Sequence, residues 1–407
     1  MRYRYLLSVF FAVLIPISAY SEGILVPVTT DPNTQGAPDV SEDYVVWHDR
    51  RNGNWDIYSA DLSTLTEKQL TSNSLNQTRP AVSGNTVVWT DFRRGSASIY
   101  GYDLHEEREF EIALDVINSV LEIDASVAIS GDVIAWHAYD GQYFIQVHFL
   151  SSGETITLPR GDGNNFHPRV SGHRVVWERQ NSSNDGVFLF DLTTDTLEQL
   201  TAQGHSPWHP DISGDNVVWL NLTTFGDPWI VFYNVTTNLS TSFTPAHLTT
   251  QPPRVSGSQV VWVDRRYDNI DIFLWDKSTN IETQITQNTA SQQLPKISGN
   301  KIVWQDSREG NEDIFLYSSS SALSLSTIVD RVVLYVEQGE IRRGNGEAMK
   351  AKLLQAGASV ARGHPQVASN QLDAFINYVN GLAIRQIAPA VVEDLVSLTQ
   401  AVQSSLN

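Results

Sequence analysis

Seven tryptophans, each closing a short β-branched or apolar run, constrain this chain more than any other feature: Trp47, Trp89, Trp136, Trp177, Trp219, Trp262 and Trp304. Successive positions differ by 42, 47, 41, 42, 43 and 42 residues. A recurrence near forty that carries strand signals, without helical periodicity, belongs to radial β architectures built from one small sheet per repeat. Seven anchors predict an all-β, seven-bladed β-propeller with four antiparallel strands per blade over residues 22–320.

Each repeat has the same internal order. A proline stands nine positions before the tryptophan in six copies: Pro38, Pro80, Pro168, Pro210, Pro253 and Pro295. A first strand follows, such as Ala81-Val82-Ser83, and then a tight turn such as Gly84-Asn85 or Gly214-Asp215. Gly followed by Asn or Asp tolerates the positive φ that a two-residue hairpin requires. The second strand ends at the tryptophan, a polar hairpin leads to a third such as Asp313-Ile314-Phe315, and a fourth closes on Leu70-Thr71 or Ile285-Thr286. The hairpin after the tryptophan carries an Asp–Arg pair in four copies: Asp49 and Arg51, Asp91 and Arg93, Asp264 and Arg266, Asp306 and Arg308. One active site does not need four catalytic pairs, so these pairs are read as hairpin braces.

The Ser-Gly turn, the Val-Val-Trp strand, the hairpin at Asp49, Arg51, Gly53 and Asn54, the Asp-Ile-Tyr strand and the Leu-Thr ending together resemble the TolB-like β-propeller repeats of exported and cell-surface proteins. That resemblance covers about three quarters of the chain and implies a fold; one such fold hosts many activities. It is not TolB itself that is implied, because helices here follow the ring, whereas TolB carries an α/β domain before it.

The ends of the ring are also readable. No Leu-Thr strand follows the third strand at Ile314–Tyr317, whereas Val28-Thr29 stands ten residues before Pro38, as Leu70-Thr71 stands before Pro80. The N-terminal stretch is expected to supply the outer strand of the seventh blade and remove a sheet edge. Residues 1–21, with Arg2 and Arg4 before the apolar run Leu6–Ala19, read as a secretory signal peptide. No second apolar stretch of that length occurs, so no membrane span is expected in the mature chain. The chain has no cysteine, which excludes thiol catalysis and thiolate metal sites. Its net charge of −19 argues against nucleic acid as a partner.

Six of the ten histidines lie between positions 137 and 209, where the Asp–Arg hairpin is lost. Strand direction places His137, His167, His205 and His209 on one face, near the inner strands of blades three to five, with Phe166 and Trp208. Arg79 holds the place equivalent to His167 and His209 in blade two. Arg79, His137, His167, His205 and His209 are the candidate ligand-binding residues, suited to an anionic or metal-bound ligand. No HExxH or similar ligand spacing occurs, so no metal or other cofactor is expected. The competing reading is that histidines before proline only fill a loop position. There is no Gly-x-Ser-x-Gly elbow and no phosphate-cradling glycine loop.

Beyond the polar stretch at 318–324 the period becomes helical, and four short amphipathic helices are expected over residues 321–407. Asn370–Val379, after the Lys352-Leu353-Leu354 helix, resembles the FIMAH-type helical module of secreted bacterial proteins, which implies attachment or interaction. The resulting expectation is an exported, monomeric propeller of the periplasm or cell surface that binds a protein or glycan partner and is not an enzyme. The alternatives are a polysaccharide lyase or hydrolase with its site at the histidine-bearing mouth, and a purely structural surface-layer repeat.

Overall fold

The computed structural model describes residues 24–117, 126–181, 185–201, 206–222, 228–243, 251–267, 269–318, 325–337, 339–362, 364–382 and 386–404. The signal-peptide segment 1–21, most of the polar linker and His205 lie outside them.

The described strands form seven four-stranded antiparallel sheets. Blade four is representative, with strands Asn164–Ser171, Arg174–Gln180, Gly186–Asp191 and Thr196–Gln199. The seventh blade is composite: Ile24–Pro27 pairs with Asp313–Ser318, with Leu25 opposite Tyr317 and Val26 opposite Leu316. The ring therefore closes without a covalent link, as the sequence predicts.

Two recurring dipeptides have direct structural causes. In the Leu-Thr ending, the threonine hydroxyl accepts a hydrogen bond from the third strand: Ile57 N to Thr71 Oγ1 at 2.8 Å, Ile272 N to Thr286 Oγ1 at 2.9 Å and, across the closure, Ile314 N to Thr29 Oγ1 at 2.8 Å. In the Ser-Gly turn, the glycine N–H donates to the serine of the preceding blade: Gly131 to Ser83 at 2.9 Å, Gly214 to Ser171 at 2.8 Å and Gly299 to Ser256 at 2.9 Å. These glycines have φ of 57°, 58° and 57°, a region that side chains disfavour.

Apolar side chains collect in seven layers, one between each pair of adjacent blades, and each anchoring tryptophan sits in such a layer at 4% exposure or less. Truncating one to alanine typically costs about 3–5 kcal/mol. The Asp–Arg pairs brace the hairpins, as expected. Asp49, Asp91 and Asp306 are fully buried, accept from the tryptophan Nε1 at 2.9–3.0 Å, and take Arg Nη2 at 2.6 Å. Each arginine then lies over the next aromatic ring, Arg308 at 4.1 Å from the Phe315 centroid. In blade four Arg179 keeps this stacking, at 3.8 Å over Phe188, without the aspartate.

Four helices follow: α1 Leu325–Glu337, α2 Arg343–Ala361, α3 Pro365–Leu382 and α4 Pro389–Ser404. Their apolar faces meet around Ile328, Met349, Leu353, Phe375 and Leu395. Val360, near the end of α2, is 38% exposed. No described helix is long and apolar enough to cross a membrane.

Candidate functional site at the histidine mouth

The first strand of five blades contains a β-bulge immediately before its proline. In blade four the register shifts between Phe166 and Arg169, and in blade five between Trp208 and Asp211. The residue at the shift has positive φ: 50° at His167, 51° at His209 and 54° at Arg79, with Ala37 and Leu294 alike. Residues other than glycine held there cost roughly 1–3 kcal/mol each. A bulge re-aims the side chain it carries. In blades four and five the re-aimed side chains are the two histidines.

These imidazoles converge. The His167 and His209 ring centroids are 4.4 Å apart, and His137, 3% exposed, stands 6.3 Å from His167. Phe166 lies 5.9 Å from His137 and Tyr143 is 4.7 Å from Phe166, so aromatic side chains form one wall. Trp208, 38% exposed, meets His209 edge-on at 5.6 Å.

Glu178 completes the group. It is fully buried, its Oε1 is 3.1 Å from His167 Nδ1, and its Oε2 accepts the His209 backbone N–H at 2.6 Å. Gln180 Nε2 donates to Oε1 at 2.9 Å. Burial alone raises the carboxyl pKa, but His167 and His209 outweigh it and hold Glu178 below the ordinary range. His209 is driven down to about 4, first by burial and then by the neighbouring His167, with Glu178 opposing. One ligand atom from each of His167, Glu178 and His209 lies within 4.8 Å of the others. A carboxylate held ionised beside two imidazoles is a donor set suited to a divalent transition-metal ion. The residues present therefore fit a transition-metal ion.

The predicted residues divide. His137, His167 and His209 come together, while His205 lies outside the described residues. Arg79 does not join them: it lines a cavity of about 810 Å³ with His48 and Trp55, near enough to His48 to depress its pKa. Sequence reading missed Glu178 because it follows Trp177 directly, where the other blades carry histidine, threonine or an uncharged side chain. Its signal is register: Glu178 pairs with Phe166, the residue before His167.

No family model matches the chain, and no curated protein matches it. The FIMAH-type resemblance of the C-terminal helices thus has no match behind it. Solved structures match at the level of fold. Oligogalacturonate lyase from Vibrio parahaemolyticus aligns with TM-score 0.57 and 11% identity over 72% of this chain and 93% of that one. An oligogalacturonate lyase in complex with manganese aligns with TM-score 0.54 and 13% identity over 74% and 94%. The acylaminoacyl peptidase of Pyrococcus horikoshii gives 0.52 and 10% over 70% of this chain but 51% of its own. TolB from Acinetobacter baumannii gives 0.46 and 15% over 60% and 62%. The expectation that the chain is not an enzyme is corrected by this comparison, since solved structures that share its ring are lyases and peptidases. Their low identity carries the fold and leaves the chemistry to be argued from the site.

Proposed function

We propose that this chain is a metal-dependent lyase acting on acidic polysaccharide at the mouth formed by blades three to five. The observation that carries the reading is the His167–Glu178–His209 group, three ligand atoms within 4.8 Å of one another, the histidines on two bulged strands and Glu178 on the strand paired with the first. Two solved structures that share the ring are oligogalacturonate lyases, one named as a manganese complex, which suggests the reaction class and the ion.

His167, Glu178 and His209 would hold the cation. Bound there, a divalent ion would supply Lewis acidity to a uronate carboxylate and so lower the pKa of the adjacent C–H. Glu178 fixes the geometry, because Gln180 Nε2 and the His209 N–H each engage one of its oxygens. Trp208 presents a flat apolar face to a sugar ring beside His209. The glycan partner expected from the sequence thereby becomes the substrate.

The test is the ultraviolet absorbance of unsaturated product from polygalacturonate, measured on metal-free and manganese-loaded protein. Activity should need the metal and fall by about a hundredfold or more in the His167→Ala/His209→Ala double variant. The double variant should melt lower than the parent, because it leaves the buried Glu178 carboxylate without the two imidazoles that stabilise it, so its activity is read below its own melting transition. No product from any uronate polymer under manganese, or full activity in a folded double variant, overturns the reading.

A further inference from the structure

The position eight residues before each tryptophan faces the ring axis, and the seven equivalents do not balance electrically. Two are Ala81 and Ala128, two are the carboxylates Asp39 and Asp211, and three are the cations Arg169, Arg254 and Lys296. All seven line one cavity of about 230 Å³. Arg169, Arg254 and Lys296 also line the 810 Å³ cavity that carries Arg79, so this ring is where the two spaces meet.

The carboxylates are already engaged. Asp39 accepts from Val82 N at 3.0 Å and from Lys296 Nζ at 3.1 Å. Asp211 accepts from Val255 N at 2.9 Å and stands 3.7 Å from Arg169 Nε. Arg254 is left over. It is 8% exposed, and its Nη1 has no hydrogen-bond partner among the described residues. Burial, with the Arg169 charge adding and Asp211 and Asp39 opposing, pushes its guanidinium down to about 10, still protonated at neutral pH. Lys296 is pushed down by burial as well, against the opposing charge of Asp39 and with Arg254 and Arg169 contributing. Leaving a buried guanidinium N–H without a hydrogen-bond partner is costly, and the two carboxylates that act on Arg254 are already bonded to other donors. Three cations against two carboxylates leave a positive waist inside a chain of net charge −19.

From this arrangement we infer that the axial waist is a binding site for one small oxyanion, such as a phosphate, a sulfate or a carboxylate. Arg254 would be its principal donor, with Arg169 and Lys296 beside it. A guanidinium presents paired N–H groups in the plane that an oxyanion requires. The site uses none of the proposed metal ligands and stands or falls independently of the lyase reading.

Calorimetric titration and thermal melting in metal-free buffer at constant ionic strength test it, with inorganic phosphate and free galacturonate as separate probes and chloride as reference. One equivalent should bind per chain, and the melting temperature should rise by several degrees. Arg254→Met should weaken binding about tenfold or more, as loss of a charged bidentate contact does. In chloride alone this variant should melt no lower than the parent. Ala81→Glu, which builds a carboxylate into the waist, should also suppress binding and serves should Arg254→Met fail to fold. Binding of phosphate alone identifies a free inorganic ion, and binding of galacturonate alone the carboxylate of a saccharide; either, lost in the variants, supports the site. Binding of neither probe, or equal binding by parent and folded variants, overturns it.

Discussion

At the residue scale, the structure places titratable groups where their charge is opposed. His48 stacks on Trp55 with ring centroids 4.2 Å apart. Burial, with the Arg79 charge adding and Asp49 opposing, pushes its imidazole from 6.5 down to about 3. Between those values the unfolded chain binds a proton that the native state does not, so stability is lost as pH falls through the window. Asp313 works the other way. Burial pushes its carboxyl from 3.8 up to about 6, so its contribution is present below 3.8 and lost as pH rises through 6. The two overlap in the parent, and a His48→Gln variant separates them. Between about pH 6.5 and 4 the parent should lose roughly 2–3 kcal/mol more than His48→Gln, read from urea midpoints. Parallel pH profiles would mean that His48 is not held neutral by the fold.

At the scale of elements, the closing strand is the contact on which the ring depends. Ile24–Pro27 covers the edge of the last blade, Thr29 Oγ1 takes the Ile314 N–H, and Val26 and Val28 enter the apolar layer with Trp47. Deleting residues 24–30 removes all three at once. The melting temperature should fall by ten degrees or so, or the chain should aggregate through the bare edge. An unchanged melting curve would contradict the closure. Nearly all of this was legible in the sequence, because Pro, Gly, Trp and Thr recur at fixed offsets and each offset has one structural cause. What was not legible is the bulge before five of the six repeat prolines. A positive φ at His167 or His209 is imposed by the neighbouring strand, and those residue types give no hint of it.

At the scale of the whole molecule, the repeat is regular where it builds layers and irregular where it faces the axis and the mouth. Arg79 shares its position in the repeat and its positive φ with His167 and His209, yet it lines a cavity with His48 and Trp55. Glu178 went unread because ligands drawn from two blades have no linear spacing to search for. The proposed function requires that His167, Glu178 and His209 form one metal centre. Anomalous diffraction from crystals soaked in manganese, recorded near the manganese edge, tests it most directly. A peak bonded to all three side chains, absent from a Glu178→Gln crystal, is the expected result; no peak there, or an undiminished one in the variant, rules the metal centre out.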